Sequence, residues 1–174
     1  MRTFVSALAA ALLLSPIALA DSGGSKTAES FGPVKTAAPM PTFAGYSLDG
    51  AFVRSKALTE NGGGVIVSFF ATWCGPCKVG MPIIEKEVAK NENWKVVFVN
   101  VGEEEAKVKQ MVSAMGVDST VVMDTHGTIG KRFGVGDSLP KTFVIGPSGN
   151  VGTIFIEEAD DLQPLLETAI STAK

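Results

Sequence analysis

The 174-residue sequence holds only two cysteines and a single histidine. Tetrahedral zinc takes four ligands, usually two cysteine pairs or cysteine with histidine, so a structural zinc site is not expected. Basic residues are fewer than acidic ones, 15 against 18. No Lys/Arg cluster stands out, and the electrostatic footprint of a nucleic-acid binder is therefore missing. Charged residues are 19% of the chain and hydrophobic residues 45%. Apolar segments run throughout, which excludes an acidic disordered chain. After the N-terminal segment no apolar run approaches the ~20 residues of a membrane span. The length predicts one domain with a sizeable core.

The N-terminus, "MRTFVSALAAALLLSPIALA", reads as a secretory signal over residues 1–20. Arg2 gives the positive start, Phe4 to Leu14 the apolar run, and Ala18-Leu19-Ala20 the small-x-small cleavage pattern. Cleavage would leave Asp21 first. It would also leave 14 basic residues (15 less Arg2) against 18 acidic, a net of −4. A retained anchor is the alternative, although the run is short for a span and Pro16 ends it. No cysteine follows the run to carry a lipid. Export implies a compartment that permits disulfides.

Residues 21–41 are rich in Ser, Gly, Thr, Ala and Pro and read as a flexible leader. The domain is expected over 42–174. Asp49-Gly50 between two β-prone runs signals a hairpin, and Ser55 is placed to cap a short helix reaching Glu60. "NGGG" breaks the chain before "GVIVSFFAT", the continuous apolar run of a buried central strand. Met81, Ile84 and Val88 predict a helix over 77–90, bent by Pro82. "KVVFVNV" is a second buried strand. Glu103, Glu104 and Glu105 then open a helix whose apolar face is Val108, Met111, Val112 and Met115 and which stops at Gly116. "TVVMD" is a short strand and "HGTIGKRFGV" a short helix or turn. "KTFVIG" and "VGTIFIE" form a hairpin around Pro147-Ser148-Gly149-Asn150. A final helix carries Leu162, Leu165, Leu166, Ala169 and Ile170, with Pro164 in its first turn. The order predicts an α/β protein: a mixed central sheet with helices on both faces.

Both cysteines lie in "SFFATWCGPCKVGMP". A staple is a poor use of them, because closing so short a loop restricts the unfolded chain little. Two thiolates can hold Cu(I), and that reading stays open; His126 is expected to be an exposed loop residue. Redox chemistry fits better. Cys74 follows a strand and starts a helix, where backbone N–H groups and the dipole favour a thiolate. It is expected to be exposed and to attack a substrate disulfide. Cys77, one turn on and buried, would displace the mixed disulfide. Gly75 and Pro76 set the turn, and Trp73 offers a flat apolar contact beside the sulfur.

"WCGPCK" behind an apolar strand resembles the active site of thioredoxin-like proteins. Pro82 matches that family's helix-kinking proline, and "SLPKTFVI" resembles its cis-proline loop. From about Ala37 the chain resembles the exported TlpA/ResA/CcmG branch: the hairpin, the cysteine motif, an inserted helix–strand between Glu103 and Met123, then "LPKTFVIGPSG". The resemblance implies a thioredoxin fold and a periplasmic thiol–disulfide oxidoreductase, with catalytic Cys74 and Cys77 and a substrate groove at Leu139 and cis Pro140. It also implies no cofactor or metal beyond the redox disulfide. Protein thiols, for example apocytochrome c in cytochrome c maturation, would be substrates. A membrane protein of the CcdA/DsbD type would supply electrons to a monomer. A disulfide oxidase or isomerase, or a copper-delivery or partner-binding module, are the alternatives. Three acids of the family are replaced, by Ser68 in the strand before the motif, by Gly80 in the helix and by Lys141 after the proline. Lys78 and Lys141 would make the site more positive or remain solvated, and Glu85 and Glu87 lie further along the helix.

Overall fold

A computed structural model describes residues 34–156 and 161–173. The expected signal segment, and the leader up to residue 33, lie outside the described residues. The elements are β1 (Val34–Lys35), β2 (Ala44–Tyr46), β3 (Phe52–Arg54), β4 (Gly64–Phe70), α1 (Gly75–Val88), β5 (Trp94–Val101), α2 (Glu105–Met115), β6 (Thr120–Asp124), α3 (Thr128–Phe133), β7 (Lys141–Ile145), β8 (Val151–Ile156) and α4 (Leu162–Thr172).

Six strands form one sheet in the order β1-β8-β7-β4-β5-β6. β4, β5 and β6 are parallel, while β7, β8 and β1 run antiparallel to their neighbours. β4 is buried at every residue, as its unbroken apolar run requires. Its side chains alternate between two cores. Ile66 and Phe70 face α1, α2 and α4, through Met81 and Ile84, Val108 and Val112, and Leu162 and Leu166. Val65, Val67 and Phe69 face α3 and the β2–β3 hairpin. On that second face Phe133 meets Phe143 at 4.9 Å, Phe69 at 5.1 Å and Phe43 at 5.7 Å between ring centroids. Each such pair adds about 0.5–1.5 kcal/mol to the burial itself.

Two expectations change here. The leader does not extend to residue 41, because Val34 and Lys35 pair with Ile154 and Thr153 of β8. The Thr36 N–H donates to the Gly152 carbonyl at 3.1 Å and the Met40 N–H to that of Gly149 at 2.9 Å. Backbone pairing needs no apolar periodicity, so composition could not reveal this edge. Ser55 caps no helix either. The segment is a 3-10 turn over Ser55–Leu58 without a side-chain cap, and the Ser55 hydroxyl accepts the Phe43 N–H at 3.0 Å.

Other signals have a visible physical cause. Gly63 lies so close to the chain that a Cβ there would sit 2.1 Å from the Asn93 carbonyl oxygen. Gly116 ends α2 in the left-handed conformation, φ +64°. Pro82 lies inside α1. His126 is an exposed turn residue.

Candidate active site

The cysteines fall where β4 gives way to α1. The Cys74 N–H donates to the Ala71 carbonyl at 3.1 Å, closing a turn over residues 71–74. Cys74 is the N-cap of α1, and the helix begins at Gly75 rather than at Cys77. Pro76 suits the first turn because its missing N–H has no helical partner there. The turn brings the sulfurs together: Cys74 and Cys77 form a disulfide, S–S 1.99 Å. The Cys77 N–H donates to Cys74 Sγ at 3.2 Å, so an amide of the first helical turn points at that sulfur.

The expected exposure of Cys74 is not met in this oxidised form. Cys74 is 4% exposed and Cys77 2%, and both join the core cluster with Phe70, Ala71 and Met81. With the bond formed, the two sulfurs differ little in access. Gly75 and Pro76 are exposed. Trp73 is 67% exposed and Val79 64%, so the indole presents a large apolar surface to solvent beside the motif. The Leu139–Pro140 peptide is cis. Pro140 is buried, and half-buried Leu139 packs against the cluster that contains both cysteines.

The replaced acids separate into two groups. Ser68 lies between Ile66 and Phe70 on the same face of β4, so it faces α1 beneath the cysteines. It is buried, and its hydroxyl shares a hydrogen bond of 2.8 Å with Thr142, its partner in β7. Gly80 is buried in α1. Lys141 does not charge this site. Its Nζ donates to the Gly134 carbonyl at 3.0 Å and that of Val135 at 2.8 Å, at the C-terminal end of α3. It lies on the Phe143 face of the sheet, opposite the cysteines. Pleating explains the correction, since Lys141 and Thr142 must point to opposite faces. Glu85 accepts the N–H groups of Asp118 and Ser119 at 3.1 and 2.8 Å, and Glu87 pairs with Lys90 at 2.6 Å. Both carboxylates are thus engaged elsewhere.

Sequence reasoning missed one cluster. Glu103 was expected to open α2, which instead starts at Glu105. Its carboxylate reaches back to Thr72, taking the N–H at 2.5 Å and the hydroxyl at 2.6 Å. Asn100 Nδ2 donates to it at 2.8 Å and Lys107 Nζ at 2.9 Å. Burial alone would raise the Glu103 pKa, but hydrogen bonds from Thr72, Asn100 and Lys107 outweigh it and hold the value at about 2. The available signal was topological: Glu103 follows the C-terminal end of a parallel strand beside β4, where sites in such sheets form. Among the described residues no three His, Cys, Asp or Glu side chains gather into a metal site.

A mixed sheet of this order, with a Cys-x-x-Cys disulfide at the N-terminus of α1 and a cis proline before β7, defines a thioredoxin-like protein. The chain belongs to the AhpC/TSA family, which matches it over residues 36–154. It is similar to the thiol-disulfide oxidoreductase ResA of Bacillus subtilis, 37% identical over 92 residues, 52% of this chain and 51% of that protein. ResA of Geobacillus thermodenitrificans is 32% identical over 124 residues, 70% of this chain and 69% of that protein. The chain thus spans about half the length of the first relative and just over two thirds of the second. Among solved structures it resembles a proposed thiol:disulfide interchange protein DsbE of Chlorobium tepidum. The TM-score is 0.72 at 26% identity, covering 79% of this chain and 96% of that one.

Proposed function

We propose that this chain is an exported thiol–disulfide oxidoreductase that reduces disulfides of periplasmic proteins. The observation that carries the reading is the Cys74–Cys77 disulfide at the head of α1, with the Cys77 N–H on Cys74 Sγ. In the reduced form the same amide and the helix dipole favour a Cys74 thiolate. That thiolate attacks a substrate disulfide: one S–S bond breaks, a mixed S–S bond forms, and the departing substrate sulfur takes a proton. Cys77, as thiolate, then attacks Cys74 Sγ. This restores the internal disulfide and releases the second substrate sulfur, so two electrons pass to substrate. A dithiol donor must return them, and a membrane protein of the CcdA/DsbD type fits an exported compartment. Trp73, Leu139 and Pro140 form the substrate contact surface. The chain acts as a monomer without a cofactor, and an apocytochrome c is the substrate class favoured by the resemblance.

The reverse direction has one observation in its favour. Ser68 and Thr142 present neutral hydroxyls under α1 at one of the positions where this family places an acid. Fewer negative neighbours stabilise a thiolate, and a stabilised reduced form makes the disulfide more oxidising. Equilibration of the purified protein with glutathione separates the two. A potential near ~ −270 mV supports a reductant and one near ~ −120 mV an oxidant. Insulin reduction run beside Cu(I) titration tests the class: tight copper binding without reductase activity would replace the redox reading by copper delivery.

A further inference from the structure

The redox turn is held from outside its own segment. Thr72 is the second residue of the turn closed by Cys74 N–H on the Ala71 carbonyl, two residues before the sulfur. Its amide and its hydroxyl both donate to one side chain, Glu103, 31 residues away. Each Glu103 oxygen also takes a second donor: Asn100 Nδ2 on Oε2 and Lys107 Nζ on Oε1. The carboxylate is saturated and its side chain is 8% exposed, which fixes it far more firmly than a surface ion pair.

A plain helix-start or ion-pair role explains Lys107, but not the rest. Asn100 is 0% exposed, and its partner in β4 is Phe70 on the cysteine side of the sheet. Its Oδ1 has no hydrogen-bond partner among the described residues. A side chain buried with one polar end unmatched is a poor choice for packing, where an aliphatic residue would do better. Its Nδ2 donates to Glu103 at 2.8 Å and, more weakly, to the Phe70 carbonyl at 3.5 Å, so it ties the Glu103 carboxylate to the end of β4 from which the redox turn leaves.

We propose that Glu103 is a positioning residue for thiol–disulfide exchange: with Asn100 behind it, its carboxylate clamps Thr72 and so fixes the Ala71–Cys74 turn that presents the Cys74 sulfur to substrate and to Cys77. The proposal rests on the redox function given above. Loss of the clamp lets the turn sample other geometries, and the exchange step slows even though Glu103 touches no reacting atom.

The test uses the full chain and four variants, Glu103→Ala, Glu103→Gln, Thr72→Val and Glu85→Ala. Three readouts are taken: the rate of reaction of the reduced protein with 5,5′-dithiobis(2-nitrobenzoate), the equilibrium potential against glutathione, and thermal stability. Misplacement of a reacting group costs rate steeply, so Glu103→Ala should slow the reaction about tenfold or more. It should also shift the potential, and Glu103→Gln, which keeps one of the two acceptor oxygens, should recover part of the rate. Thr72→Val, which deletes one donor, should fall between them. Glu85→Ala removes two backbone contacts far from the turn and should lower stability with rate and potential unchanged. If Glu103→Ala loses stability but keeps wild-type rate and potential, Glu103 is structural only and the proposal fails. If Glu103→Ala does not fold, Thr72→Val decides, and a wild-type rate there also overturns it. A wild-type chain that neither reacts nor shows a measurable potential sinks the redox function itself, and the proposal with it.

Discussion

Ser68 and Thr142 share a buried hydrogen bond of 2.8 Å across β4 and β7, on the face that carries the cysteine helix. The pair is neutral where related active sites carry a carboxylate. Ser68→Asp should therefore raise the pKa of the nearest thiol and make the Cys74–Cys77 potential more negative. A shift of at least about 30 mV, equivalent to ~1.4 kcal/mol, is expected against glutathione. Thermal stability should fall, because the new carboxyl group is buried. An unchanged potential in a folded Ser68→Asp protein would end this electrostatic account.

Cys77→Ser removes the thiol to which the proposed function gives the resolving step. The variant should accumulate mixed disulfides through Cys74 when incubated with oxidised periplasmic protein. Non-reducing electrophoresis with and without dithiothreitol reads the adducts, and their absence would count against the roles assigned to the two thiols.

Reduction should make Cys74 the more accessible of the two thiols. In the reduced protein, Cys74 should be alkylated by iodoacetamide faster than Cys77. Its rate–pH midpoint should lie below the ~8.5 of an ordinary thiol. Mass spectrometry of partly modified protein identifies the faster site; preferential modification of Cys77 would reverse the assignment.

Glu103 links stability to acid pH. Its folded-state pKa is lowered from 4.5 to about 2. A depressed carboxylate pKa means that the contribution is complete above the unfolded value and disappears as pH falls through the folded one. Glu103→Gln should thus be less stable than wild type at pH 7, by about 1.5–3 kcal/mol for hydrogen bonds to a charged group. The gap should narrow between pH 4.5 and 2 and close below that range. Urea melts across pH measure it, and a gap that stays constant on acidification would show that the charge of Glu103 is not what stabilises the fold.

Lys141 follows the cis proline yet serves α3. Lys141→Met should leave the redox potential unchanged, while stability drops by about 1 kcal/mol through two unmade carbonyl contacts. A displaced potential would show that the ammonium reaches the cysteines after all.

Local chemistry was legible in the sequence because it depends on neighbours along the chain. A continuous apolar run makes β4 a buried strand, a Cys-Gly-Pro-Cys turn at a strand end makes Cys74 a helix cap, and Leu162, Leu166 and Ile170 recur at the spacing of one helix face. The tertiary structure decided whatever depends on the pleat and on meetings between distant segments. It sent Lys141 to the face opposite Thr142, although the two are adjacent in sequence. It brought Glu103 across 31 residues to Thr72, because parallel pairing sets Asn100 beside Phe70 and carries the next loop over the redox turn. It added β1 to the edge of β8 through backbone hydrogen bonds. Such bonds are blind to side-chain identity, which is why no pattern of residues announced that edge.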